Sequence, residues 1–237
     1  MTFSEIKYER VDIQALKDQI ASLTERLRDA ADFDQAERCF LEMNDLDGRT
    51  MRTMRTVAQI RRDIDTRDEF YDAEMKFYNR ELPAVQPVKQ AWTNALLASP
   101  FRAKLEEKYG DVAFLNAELA NRTFRPELVE DLQRENELVS RYTKLLASAQ
   151  IPFDGKICTV SQMQPYKLST DDELRRAAWR AEGQWYADQS RELDAIYDEL
   201  VKLRDGMGRK LGHNGYTQLG YDRMQRNCYT EQDVEQF

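Results

Sequence analysis

Apolar residues along this chain return every third or fourth position, the repeat of helices with one buried face. Ile13, Leu16, Ile20, Leu23 and Leu27 form one stripe behind Asp12, a residue suited to cap a helix N-terminus. Cys39, Phe40, Met43, Leu46, Met51, Met54, Val57, Ile60 and Ile64 form a second, predicting a helix from Asp34 to near Asp65. Asn44 to Gly48 can break that helix in two. A third segment, Thr66 to Ser99, holds Phe70, Tyr71, Met75, Phe77, Tyr78, Leu82, Val85, Trp92, Leu96 and Leu97. Pro83 and Pro87 lie inside it, and a proline removes a backbone donor and clashes with the preceding turn, so a break or kink is expected there.

Two short helices are predicted next, Phe101 to Tyr109 ended by Gly110, and Asp111 to Asn121. Pro126 stands at the favoured first position of a longer helix that runs to about Ala149. Its inward residues are Leu128, Leu132, Leu138, Tyr142, Leu145 and Leu146.

The period then changes. Ile151 to Val160 places Asp154-Gly155 between short β-prone runs, the strongest short-range sign of a hairpin in the chain. Gly155 is expected at positive φ. Helix resumes at Thr170, with Glu173 completing a capping box. A further helix is expected from Gly183 to Leu211, burying Trp185, Tyr186, Leu193, Ile196, Tyr197, Leu200, Leu203 and Met207. The fold class is therefore mainly α: long helices in an elongated lobe, with one small β-hairpin near residues 151–160. Residues 1–150 are read as an N-terminal helical lobe, and 151–237 as a hairpin and helices leading into a second lobe.

Composition agrees with this pattern. Only 9 glycines and 6 prolines occur in 237 residues, which leaves little turn material. Net charge is −8, with acidic residues dispersed. That balance argues against nucleic acid, whose binders present a basic face. The Arg49–Arg55 stretch and the Arg61-Arg62 pair are read as solvated helix faces. No apolar run is long enough to span a membrane. Cys39, Cys158 and Cys228 match no metal or redox spacing, and their odd number points to free thiols in a cytoplasmic protein.

Candidate chemistry is sparse. His213 is the single histidine; it follows Gly212 just past a helix end, where a cation is favoured, and it lacks partners in sequence. Acidic groups at helical spacing, such as Glu192, Asp194 and Asp198, are read as solvated or ion-paired. Phe70, Tyr71, Phe77 and Tyr78 could line a groove for an extended peptide, but core packing is the better reading at that spacing. None of the histidine, cysteine or glycine-rich signatures of common enzymes occurs.

Longer motifs carry a resemblance. Tyr216 to Met224 reads Tyr-x-x-Leu-Gly-Tyr-x-Arg-Met, followed by Arg226-Asn-Cys-Tyr229. Upstream stand Phe153-Asp-Gly-Lys156, Pro165-Tyr166 and Asp172-Glu-Leu-Arg-Arg-Ala-Ala178. Together these resemble the oligoendopeptidase F family of zinc metallopeptidases, akin to thimet oligopeptidase. The likeness is strong from Ile151 to Phe237 and looser from 1 to 150.

The resemblance implies an almost all-helical, two-lobed enzyme that hydrolyses oligopeptides in a deep channel. Zinc would be held by His-Glu-x-x-His and a later glutamate, the motif's own glutamate acting as general base. None of these residues is present here. The chain is accordingly expected to be the N-terminal part of such a peptidase: a lobe and part of the channel wall, inactive alone, with zinc belonging to the full-length protein. No catalytic, cofactor-binding or metal residue is assigned within it. Thr230, with Glu231 and Asp233 behind it, opens a helix that has few residues left to run, which fits that expectation. Expected partners are oligopeptide substrates and the C-terminal catalytic part, with neither nucleic acid nor membrane. The rival reading is a free-standing helical scaffold or interaction module.

Overall fold

The computed structural model describes residues 2–48 and 53–237. It is mainly α, with a single hairpin among the described residues. By contacts the chain divides into two compact units, Met1–Gln133 with Arg204–Phe237, and Arg134–Leu203.

The first unit opens with α1 (Ile13–Arg28), capped by Asp12, whose carboxylate accepts from the Ala15 amide. Its stripe buries Ile13, Leu16, Ile20, Leu23 and Leu27, as the spacing predicts. The single helix expected over 34–65 is two: α2 (Phe33–Leu46) and α3 (Thr53–Ile64). The anticipated break at Asn44–Gly48 is real, because α2 ends there. Met51 and most of the Arg49–Arg55 stretch lie outside the described residues. Ile64 is 76% exposed, so the predicted stripe does not reach the end of α3.

Thr66–Ser99 is interrupted at its prolines. Helix α4 (Glu69–Glu81) gives way to a 3-10 turn, Leu82–Val85, before α5 (Gln86–Leu97) begins. Pro83 opens the turn and Pro87 sits in the first turn of α5, the two places where a missing amide costs least. Helices α6 (Arg102–Tyr109) and α7 (Val112–Arg122) follow, separated by Gly110 at φ 88°. Helix α1 packs on α2 and α5, α3 on α4, and α5 on α7. Their shared core holds Phe40, Tyr78, Trp92, Leu105 and Phe114.

Helix α8 (Val129–Ala147) is entered through a 3-10 turn at Pro126–Leu128. Leu128 and Leu138 are buried as expected, whereas Tyr142 is 44% exposed.

The second unit contains the hairpin, β1 (Ile151–Phe153) paired antiparallel with β2 (Lys156–Cys158). Asp154 has φ 49° and Gly155 φ 71°. Two positive φ values in a two-residue loop match the right-handed twist of the strands, which is why Asp-Gly is favoured there. Helix α9 (Val160–Lys167) was not expected from the sequence. It is capped by Thr159 with Gln162 reaching back, and Pro165 lies within it. Helix α10 (Asp172–Asp188) is capped by Asp171, not by Thr170 with Glu173. The Asp171 carboxylate accepts from the Glu173 and Leu174 amides, a charged acceptor displacing a neutral one. The break before α11 (Ser190–Lys210) falls at Gln189, not before Gly183, which lies inside α10. Tyr197, predicted inward, is 71% exposed. The small core here is Ile151, Cys158, Met163 and Ala178, with Phe153, Tyr166 and Trp185 against it.

Candidate functional site

The residues that follow α11 carry the motifs of strongest resemblance, and they form a compact knot in the first unit. The Gly212 amide donates to Arg209 O at 2.9 Å and the His213 amide to Gly208 O at 3.0 Å, with Gly212 at φ 91°. This is a Schellman end, which satisfies carbonyls the helix would otherwise leave open. His213 thus occupies a backbone position in a helix terminus. Gly215 follows at φ 111°. A methyl group on Gly208 would lie 2.1 Å from Gly215 O, so the loop can fold back onto α11 only over a glycine.

Helix α12 (Thr217–Arg223) packs on α7 and buries Leu219, Gly220 and Asp222. Asp222 accepts from Gln218 at 2.8 Å. The helix ends in a second Schellman turn, with the Arg226 amide on Tyr221 O at 3.2 Å and Gln225 at φ 55°. A side chain in the left-handed region where glycine is usual is a strained choice. Arg226 then lies between two rings, 4.4 Å from Tyr221 and 5.3 Å from Tyr229. Helix α13 (Glu231–Gln236) is capped by Thr230, with Asp233 reaching back to the Thr230 amide at 2.6 Å. The Leu-Gly-Tyr-x-Arg-Met signature is therefore an architectural one: it forms α12 and the helix end that follows it.

A polar cluster that the sequence did not flag lies on α4. The Glu74 side chain is buried and accepts from the Tyr8 hydroxyl and from the Arg10 guanidinium. The Tyr8 and Tyr78 hydroxyls are hydrogen-bonded to each other at 3.1 Å, and the Val11 amide donates to the Tyr78 hydroxyl at 3.3 Å. Arg10 lies 4.6 Å from the Phe77 ring centre. Arg61 binds Ile6 O at 2.6 Å and the Tyr71 hydroxyl. Together these bonds fasten residues 6–11 to α3 and α4. The Arg10 hydrogen bond holds the Glu74 carboxyl below the usual carboxylate range, against the opposing pull of burial. Burial first, and the Glu74 bond second, push the Tyr8 hydroxyl up. Of the four aromatics weighed as a peptide groove, Tyr78 is fully buried and Phe70 is 56% exposed, and they meet edge to face with neighbouring rings.

In the second unit, Lys167 and Glu182 form a buried ion pair at 2.7 Å, joining α9 to α10. Lys167 also lies 4.5 Å from the Trp179 ring centre. Glu192 accepts from Arg141 at 2.6 Å and Asp198 pairs with Lys202 at 2.7 Å, so these acidic groups are ion-paired.

The donor set does not fit zinc. Cys39 and Cys158 are buried in different units, Cys228 is exposed, and His213 stands alone at a helix end. Among the described residues no group of three or more histidine, cysteine, aspartate or glutamate side chains is placed to hold a metal ion. No hydrolytic step is derived through a metal on this chain.

A family model for the peptidase M3 N-terminal domain matches residues 3–124. The chain belongs to the M3 peptidase family. The match falls in the half where the motifs were sparse, so M3 membership is written in the helical framework as well as in residues 151–237. Among solved structures, a PZ peptidase A determined with an inhibitor has a TM-score of 0.93 at 38% identity, over 99% of this chain and 42% of that one. A protein assigned as oligoendopeptidase F gives 0.94 at 40% identity, over 100% of this chain and 42% of its own. Another, from Bacillus anthracis str. Ames, gives 0.93 at 37% identity, over 100% and 43%. The chain thus spans less than half the length of these M3 relatives. No curated protein matches it.

Proposed function

We propose that these 237 residues are the N-terminal portion of a zinc metalloendopeptidase that hydrolyses oligopeptides. They supply a helical lobe, residues 1–150, and a segment, 151–237, that leads into the catalytic lobe, and the chain forms part of the wall of the substrate channel. The observation that carries this reading is the superposition of the whole chain on an oligoendopeptidase F at 40% identity, covering 42% of that chain. Zinc ligands and the general base belong to the remaining part of the full-length protein. This portion assigns no side chain to bond cleavage; its work is to bind and enclose.

Other observations support the setting. Among the described residues no helix is long and apolar enough to cross a membrane. Cys39, Cys158 and Cys228 are free thiols, which suits a reducing, cytoplasmic compartment. The acidic balance disfavours nucleic acid as partner.

The test is to produce the complete gene product and the 237-residue chain side by side. A quenched fluorescent oligopeptide is offered to each, with and without a chelator, and bound zinc is measured by elemental analysis. The complete protein is expected to cleave the peptide, lose that activity to chelator and carry zinc, while the shorter chain does neither. A complete protein without chelator-sensitive cleavage overturns the assignment and leaves a helical scaffold.

A further inference from the structure

Between α7, α12 and α13 the first unit has an open cleft of about 440 Å³. Its lining includes Leu115, Arg122, Tyr221, Arg226, Cys228 and Tyr229. Arg226 is half-buried, held 4.4 Å from one tyrosine ring centre and 5.3 Å from the other. Such contacts fix a guanidinium in place but satisfy none of its five N–H donors. Among the described residues its side chain makes no hydrogen bond or ion pair. Arg122, exposed at the end of α7, is a second cation without an acidic partner there.

The carboxylates of the lining are engaged elsewhere. Glu118 accepts from Arg102 at 2.7 Å, Asp222 from Gln218 at 2.8 Å, and Asp233 from the Thr230 amide at 2.6 Å. Glu231 is exposed and forms no ion pair with Arg226. A guanidinium held in one position is pre-organised for a carboxylate, whose two oxygens match its planar fork. The same stretch of chain exposes large apolar groups: Met224 is 56% exposed, Tyr229 42% and Val234 49%. Tyrosine, methionine and arginine are the side chains enriched where proteins meet.

The comparisons supply the occupant. The family model matching residues 3–124 is that of an N-terminal domain, and this chain makes up 42% of the length of two solved relatives. Thr230, Glu231 and Asp233 of α13 line the cleft, and α13 is six residues long. Residues following Phe237 would therefore begin within about 9 Å of the cleft, the rise of six helical residues.

We propose that this cleft seats the C-terminal part of the complete protein, which sets a carboxylate against Arg226. The inference rests on the reading of the chain as the N-terminal portion of a longer peptidase, and adds the place and chemistry of one contact between the two parts.

Cys228, exposed in these residues and part of the lining, is the reporter. The complete gene product is treated with iodoacetamide, native and in urea, and alkylation of the peptide carrying Cys228 is followed by mass spectrometry. Native Cys228 is expected to react at least about tenfold more slowly than in urea, because a covered thiol is out of reach. Arg226→Ala should raise the native rate at least about threefold by loosening the contact. Wild-type protection carries the test even where the variant folds poorly. Native Cys228 as reactive as in urea overturns the proposal, as does protection that Arg226→Ala leaves unchanged in a folded protein. Protection that appears only on adding succinate makes the cleft a small-anion site and also overturns it. The readout needs no cleavage. A protected Cys228 in a complete protein that cleaves no oligopeptide would keep the contact and refute only the peptidase assignment; cleavage with Cys228 unprotected does the reverse.

Discussion

Two glycines two positions apart in α11, Gly206 and Gly208, look equivalent in sequence and are opposite in the structure. A methyl group at Gly206 meets nothing within 4 Å, whereas at Gly208 it strikes the Gly215 carbonyl. Gly206→Ala should stabilise the protein by about 0.5–1 kcal/mol, because alanine restricts the unfolded chain and favours helix. Gly208→Ala should destabilise it by about 1–3 kcal/mol, as overpacking does. Denaturant midpoints of the two variants check both signs; a shift in the same direction for both contradicts the close approach.

Glu74 gives a residue-scale dependence on pH. Its folded-state pKa lies below the ordinary 4.5, chiefly through the Arg10 hydrogen bond. A carboxyl whose pKa is depressed on folding stabilises the protein above its unfolded pKa, and the contribution is lost as pH falls through the folded value. Glu74→Gln should therefore cost about 1.5–3 kcal/mol at neutral pH, the worth of hydrogen bonds to a charged group. The gap between wild type and variant should close as pH drops below 4.5. Thermal melts of both proteins between neutral and acid pH measure it; a gap that does not narrow with acid contradicts the assignment.

At the scale of elements, a buried ion pair joins two helices of the second unit. Lys167 on α9 and Glu182 on α10 are each 8% exposed in their side chains. Glu182 keeps one carboxylate oxygen without a partner. Removing one member of such a pair strands the other charge, so Lys167→Met alone should cost about 3–5 kcal/mol. Lys167→Met with Glu182→Leu should recover most of that, because two apolar groups of similar volume remove the desolvation penalty. A double-mutant cycle on chemical denaturation decides it: additive losses would show that the two residues do not act as a pair. The same helix α9 shows how sequence reading fails locally. No helix is predicted over 160–167, yet one of eight residues forms, with Thr159 and Gln162 capping its start and Met163 completely buried.

For the whole molecule, the likeness to M3 peptidases spans both units, and among the described residues neither unit brings together ligands for a metal. On the proposed reading, labour is divided along a full-length chain. The N-terminal portion would enclose and hold substrate, while cleavage would need residues outside it. The complete gene product should therefore cleave a quenched fluorescent oligopeptide in a chelator-sensitive way that these 237 residues alone do not, and a side-by-side kinetic assay checks both. Cleavage by the 237 residues alone would contradict that division.

Much of the fold is local chemistry, and the sequence alone determined it. The α1 stripe, the cap at Asp12, the breaks at Pro83 and Gly110, and the Asp154-Gly155 turn each follow from backbone preferences within a few residues. The motifs from Phe153 to Tyr229 pointed to the family, and part of them is local backbone geometry, as in the helix end at Tyr221–Arg226. Tertiary structure decided what depends on partners distant in the chain. It buried Glu74 beneath Tyr8 and Arg10, exposed Tyr197, and lined one cleft with residues of α7, α12 and α13. A periodic pattern states which face of a helix is apolar; whether that face, or a polar residue beside it, meets another element is fixed only when the helices pack.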